Sequence, residues 1–180
     1  MNLSIRRGVP ADAAALADLA ARTFSDTFGA DNHPEDLAAH LSQAYGVPQQ
    51  RRELSDPDIT TLLVDAEGDL AGYAQLRRGP APACVAGESP LELWRFYIVR
   101  EWQGQGLAHQ LMNAVDAQAF SNGARTLWLG VWERNERAKA FYRKNEFIDV
   151  GSHIFVVGSD PQTDRIMVRR VGSGSAPIPV

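Results

Sequence analysis

The sequence predicts an α/β fold (α+β by some schemes) built on a mixed, twisted central sheet of about six to seven strands flanked by four helices. Three observations predict it. Leu91 to Val99 is apolar at both parities, as expected of a strand covered on both faces. That run passes through the short turn Gln103-Gly104-Gln105-Gly106 straight into Leu107-Ala108-His109-Gln-Leu-Met, where a helix opens at once. Upstream, Thr60 to Val64 and Leu70 to Leu76 read as a hairpin joined around Glu67-Gly68-Asp69.

Taken in chain order, Ile5 begins a first strand. Pro10 and the alanine-rich stretch after it start a helix, with Leu16, Leu19, Ala20, Thr23, Phe24 and Phe28 recurring at helical spacing. Pro34 fits the first turn of a second helix with Leu37 and Leu41 on one face. After the hairpin and the central strand come a helix over 104–121, a strand over 125–132, a helix over 135–144 and a final strand pair near 147–157 and 164–170. The tail Gly172-Ser-Gly-Ser-Ala-Pro-Ile-Pro-Val carries no core pattern and is expected to be mobile. Residues 1–171 are therefore expected to form one domain and 172–180 a flexible tail, with no internal repeat.

Composition narrows the function classes. A chain of 180 residues that is 44% hydrophobic can bury a substantial core. Its formal charge of −4 and the absence of any Lys/Arg run longer than a pair argue against a nucleic-acid binder. Mild acidity suits a cationic substrate. The single cysteine, Cys84, excludes an internal disulfide, and His33, His40, His109 and His153 lack metal-ligand spacing, so no metal is expected. No apolar run reaches membrane length and no signal-peptide pattern opens the chain, which points to a cytoplasmic protein.

The strand–turn–helix at 91–121 aims several unblocked amides and the positive end of a helix dipole at one spot, a ready site for phosphate or pyrophosphate. A dinucleotide fingerprint would need a third glycine where His109 stands, and a Walker loop would need Gly-Lys-Ser/Thr, which is absent. What remains is Gln-x-x-Gly-x-Ala, as Gln103, Gly106 and Ala108. A second block follows the apolar run Leu127 to Trp132: Asn135-Glu-Arg-Ala138-Lys-Ala-Phe141-Tyr142. On its own, Asn135 is a natural N-cap, Phe141 is core, and Tyr142 is open between core and chemistry.

Together, in this order and one strand apart, the two blocks resemble the acetyl-CoA signature and the Asn-x-x-Ala-x-x-Phe-Tyr helix of the GCN5-related N-acetyltransferases (GNAT). The resemblance is closest to bacterial PaiA-type spermidine/spermine N-acetyltransferases. Phe24-Ser-Asp26-Thr27-Phe28, Trp128-Leu-Gly-Val-Trp132-Glu133 and Gln162-Thr163-Asp164-x-Ile166-Met167 look similar as well, so that the match covers roughly residues 3–171. It implies the GNAT fold, acetyl-CoA as cosubstrate and a homodimer. It also implies a cofactor site of Phe96, Tyr97 and Ile98 on the central strand, Gln103, Gly104, Gln105, Gly106, Leu107, Ala108 and His109 at the turn, and Asn135 and Tyr142 on the later helix. The sequence departs from the family at Asn145-Glu146-Phe147, where glycine usually precedes the Phe. Asn145 is expected to take the left-handed cap one residue earlier.

The chemistry sets further requirements. A protonated amine, pKa near ~10.4, cannot attack a thioester, so a group must accept its proton. Glu92, a carboxylate within an apolar strand, is the candidate base; its alternatives are a solvent-facing residue or an ion pair with Arg95. Alternation puts Glu92, Trp94 and Phe96 on one face and Leu93, Arg95 and Tyr97 on the other, so that a pair with Arg95 needs a bulge. By the resemblance, such a bulge opens this strand to the pantetheine arm and Tyr142 protonates the leaving thiolate. A strand amide is placed to stabilise the oxyanion. The first two helices are expected to roof the acceptor, with Asp26, Phe28 and Tyr45 binding it, while Asp31, Glu35 and Asp36 add acidity that helix dipoles also explain. The expected partner is a small cationic amine, with no nucleic acid and no membrane. Acetylation of peptide, amino-acid or antibiotic amines and a CoA-binding regulator are the alternatives.

Overall fold

The computed structural model describes residues 3–157 and 159–172, so most of the expected tail lies outside the described residues. The chain runs β1 (Leu3–Arg7), α1 (Ala13–Phe28), α2 (Pro34–Tyr45), α3 (Val47–Ser55), β2 (Ile59–Ala66), β3 (Asp69–Arg77), β4 (Pro90–Ile98), α4 (Leu107–Ser121), β5 (Thr126–Trp132), α5 (Glu136–Lys144), β6 (Ile148–Val157) and β7 (Asp160–Arg170). Seven strands form one sheet in the order β1-β2-β3-β4-β5-β7-β6. Every neighbouring pair is antiparallel except β4 and β5, which are parallel, so the sheet is mixed as the sequence predicts. Helices α1 and α4 both pack on β3, and this strand is buried at both parities because each of its faces is covered.

The four expected helices are present and α3 adds a short one. Apolar periodicity does not announce it, because the residues it buries are Gln50 and Glu53. Gln50 Nε2 donates to the Ala44 carbonyl at the end of α2, and Glu53 accepts from a buried arginine. The hairpin turn is also tighter than read from sequence: Ala66 faces Asp69, leaving Glu67 and Gly68 as the two turn residues, both at positive φ. Helix α4 begins at Leu107 rather than 104, because Gly104 and Gly106 lie at φ 80° and 82°, outside helical space. Strand β7 starts at Asp160, four residues before the expected 164, because it pairs with β6 all the way to the turn.

The end of α5 corrects one expectation. Asn145 stays at φ −98°, and Glu146, at the place where the family has glycine, takes the left-handed conformation at φ 65°. The Phe147 amide donates to the Tyr142 carbonyl and the Glu146 amide to the Arg143 carbonyl, the two reverse bonds of a Schellman cap. Phe147 is buried against the Tyr142 ring, 5.6 Å away, so the cap anchors both residues. A side chain in this conformation costs about 1 kcal/mol. Glu146→Gly is therefore expected to stabilise the fold by about that amount and raise the melting temperature by about 2–4 °C. An unchanged or lower value in thermal denaturation would contradict it.

Candidate active site

Strands β4 and β5 pair at only three positions, Pro90 with Thr126, Leu91 with Leu127 and Glu92 with Trp128. Beyond them the strands part. The cause is in β4: Gln75 faces Arg95 but Leu76 faces Leu93, so Trp94 is an extra residue that bends the strand. Its indole stands between two guanidiniums, Arg77 at 3.9 Å and Arg95 at 3.8 Å from the ring centre. The bulge does not join Arg95 to Glu92. Arg95 is buried and bonds Glu53 Oε2 at 2.6 Å and Gln75 Oε1 at 2.7 Å, while Glu92 pairs with Arg77 directly opposite on β3, at 2.7 Å. Burial raises the Glu92 carboxyl above the ordinary range, and Arg77 partly opposes the shift. A carboxyl whose proton affinity is raised in this way is chemically suited to accept a proton.

Two cavities open along the gap. The larger, about 730 Å³, is bounded by Phe96, Tyr97 and Ile98 of β4, by Gln103, Gly104 and Gly106 of the turn, by Ala108 and His109 of α4 and by α5. No side chain caps α4; the His109 and Gln110 amides donate to the Gly106 carbonyl, which leaves the Leu107 and Ala108 amides at the positive end of the helix. A Cβ added to Gly104 or Gly106 would meet nothing within 4 Å, which leaves open room over a positive helix end. This cradle fits a pyrophosphate. The Gln103 side chain fixes the turn, donating to the Ile98 carbonyl at 2.9 Å and accepting from Arg137 at 2.6 Å. Gln105 and Leu107 do not line the cavity: Gln105 donates to the Glu101 carbonyl and Leu107 is buried in the core. Arg100, Arg137 and Lys144 line it too and supply cations that sequence reading missed. Arg100 and Lys144 lie outside both motifs and Arg137 falls at an unspecified position of the second, so the only available signal was their nearness to the glycine turn and the last helix.

The smaller cavity, about 320 Å³, lies beside the first. The two share Thr27, Phe96, Tyr97, Asn135, Ala138 and Tyr142, so Tyr142 stands at their junction. Burial drives its phenol far above the ordinary range, and it therefore keeps its proton at any physiological pH. Asn135 also lines both cavities while its Oδ1 accepts the Ala138 amide at 3.1 Å, as its N-cap reading requires. Phe28, 5.7 Å from Trp132, and the buried Tyr45 line the smaller cavity, and Glu92 opens into it. Asp26 lines the larger cavity instead. Asp31 and Glu35 line neither, and Asp36 accepts from the Ser159 amide and hydroxyl, tying α2 to the β6–β7 turn. Arg77, Trp94, His153 and Asp164 also line the smaller cavity; of these only Asp164 stood in a stretch of resemblance, 162–167, and without an assigned role.

The sequence model of the Acetyltransferase (GNAT) family matches residues 14–147. An uncharacterized N-acetyltransferase of Lactobacillus delbrueckii subsp. lactis is 35% identical over 145 residues, covering 81% of this chain and 84% of that protein. An aminoglycoside N(6')-acetyltransferase type 1 of Stenotrophomonas maltophilia is 32% identical over 127 residues, or 69% and 72% of the two chains. Among solved structures, a PaiA N-acetyltransferase from Thermoplasma acidophilum in complex with coenzyme A superimposes with TM-score 0.74 at 22% identity, covering 94% of this chain and 99% of that one.

Proposed function

Because the chain belongs to the GNAT acetyltransferase family and is an acetyl-CoA-dependent N-acetyltransferase, we propose that its acceptor is a small cationic amine of the polyamine class, spermidine or spermine, acetylated by direct attack in a ternary complex. The observation that carries this reading is the meeting of two cavities at Tyr142, one with a pyrophosphate cradle and one with aromatic walls and carboxylates. When bound, acetyl-CoA supplies the thioester as acyl donor. Gly104, Gly106 and the amides opening α4 hold its pyrophosphate, and Arg100, Arg137 and Lys144 face its negative charge. The exposed backbone edge of Phe96 to Ile98 takes the pantetheine amides.

On the acceptor side, Glu92 takes a proton from the amine, directly or through water. Tyr142 gives its phenolic proton to the departing sulfur. Among the paired charges of this wall, Arg77 offsets Glu92 and Arg95 offsets Glu53, so Asp164 is the remaining carboxylate and the pocket favours a cation. Phe28, Tyr45, Trp94 and Trp132 add aromatic faces suited to an alkylammonium chain. A cytoplasmic setting follows from the cosubstrate. A second reading, acetylation of an aminoglycoside amine, is favoured by the Stenotrophomonas maltophilia relative.

The test is CoA release with spermidine, spermine, aminoglycosides, amino acids and peptides, with products identified by mass. Saturable turnover on polyamines is expected. Turnover confined to peptides or amino acids would overturn the acceptor class, and turnover confined to aminoglycosides would select the second reading. Gly106→Val is expected to weaken acetyl-CoA binding by about tenfold or more in calorimetry, since φ 82° is closed to a branched side chain. Wild-type affinity in that variant would remove the turn from the binding scheme.

A further inference from the structure

Conversion of an alkylammonium to a secondary amide removes two protons from one nitrogen. One ends on the CoA thiol and the other in solvent, yet Glu92 can hold only one at a time. The structure places a second candidate acceptor in the same pocket. His153 on β6 faces Asp164 on β7 in register, with Nε2 3.6 Å from Oδ2, and both side chains line the acceptor cavity that holds Glu92. They reach it across β5 because position 130 is glycine. An ideal Cβ there would stand 3.1 Å from His153 Nε2 and 3.2 Å from Asp164 Oδ2, so any side chain would crowd both. Sequence reading left His153 without a role and Asp164 as a point of resemblance only.

We infer that His153, held by Asp164 over Gly130, is a second proton-accepting group of the acceptor pocket, acting with Glu92 on the same amine nitrogen. This deepens the reading of the site as an amine acetyltransferase and rests on it. The ammonium passes one proton to the neutral imidazole and becomes an amine with a free lone pair. The imidazolium is balanced by Asp164, and with 38% of its side chain accessible it can release the proton to water. As the nitrogen–carbon bond forms and the carbon–sulfur bond breaks, the second proton goes to Glu92. Tyr142 protonates the sulfur and is reprotonated at Glu92's expense, directly or through water. The net products are amide, thiol and one proton in solvent. Burial of Asp164 raises its carboxyl to about 6, with His153 opposing the shift, as expected for two groups that share a pocket. The other charged or titratable groups lining this space are Arg77 on β3, Glu92, Arg95 and Tyr97 on β4, His40 and Tyr45 on α2 and Tyr142 on α5. Both arginines are already committed to carboxylates.

The experiment compares kcat/KM for the amine against pH in the wild type, His153→Ala, Asp164→Asn and Glu92→Gln/His153→Ala. His153→Ala is expected to lose about 10²-fold at neutral pH with the KM for acetyl-CoA unchanged, and to lose one ionisation from the profile. Added imidazole is expected to restore part of its rate, which a purely structural loss would not allow. Asp164→Asn should move the profile in the same region, and the double variant should fall below either single one. A His153→Ala enzyme within about twofold of wild type across the pH range would overturn the inference while leaving the acetyltransferase reading intact. A reduced rate with no imidazole rescue and an unmoved profile would assign His153 to packing alone. If the wild type itself acetylates no amine, the acceptor reading falls and this inference with it.

Discussion

Tyr142→Phe is expected to bind acetyl-CoA as tightly as the wild type while kcat drops by at least about tenfold, and up to about 10⁴-fold, at neutral pH. The substitution removes one hydroxyl and leaves the ring in its cage. Phe96, Phe141 and Phe147 surround that ring at centroid distances of 6.4, 5.6 and 5.6 Å, and the Schellman cap fixes its backbone carbonyl. The lost rate then reports only the proton that the buried phenol holds. Calorimetric titration with acetyl-CoA, alongside steady-state release of CoA, separates binding from turnover. An unchanged kcat would take Tyr142 out of the mechanism, and a raised dissociation constant at full kcat would make it a binding residue instead.

The second large effect concerns stability. Glu53→Ala leaves the Arg95 guanidinium inside the protein without its carboxylate, and breaking a buried pair in this way costs about 3–5 kcal/mol. At about 2–4 °C per kcal/mol for a chain of this size, the melting temperature should fall by about 10 °C. Replacing both partners, as Glu53→Leu/Arg95→Met, is expected to recover most of the loss, since the pair's own desolvation is also costly. A fall of less than about 1 kcal/mol in denaturant unfolding would show that Gln75 and the Trp94 and Tyr45 rings satisfy the guanidinium unaided. Because Arg95 supports the Trp94 bulge, Glu53→Ala should also raise the KM for the acceptor amine.

The parts of this molecule that sequence made legible are those with a strong local signal. The glycine turn, the apolar strand before it and the helix after it announced the strand–turn–helix that borders the larger cavity, and Asn135 to Tyr142 announced the helix at the junction. Strands β2 and β3 were legible as two apolar runs joined around Glu67-Gly68-Asp69. The remainder depends on pairing across the sheet. Nothing local to Glu92 shows that Arg77 will lie opposite it, nor that Arg95 will be drawn to Glu53 on a helix 42 residues away. Helix α3 stayed hidden because its inward face is polar. His153 and Asp164 were hidden because the feature that admits them to the pocket is a missing side chain on a third strand, Gly130. The left-handed residue after α5 was assigned to Asn145 on intrinsic preference, but the cap's hydrogen bonds fix the position at Glu146.

The brief parallel contact of β4 with β5 has a consequence for how the molecule breathes. Within the sheet, three residue pairs join the four strands β1 to β4 to the three strands β5 to β7, so that parting them along this line ruptures few ladder bonds. Amide deuterium uptake should be fastest there, at the unpaired edges of residues 93–98 and 129–132, well below the energy of global unfolding. A thioester ligand spanning both halves would act as a rivet, and slower uptake on both banks upon its addition would register the two halves locking into one body.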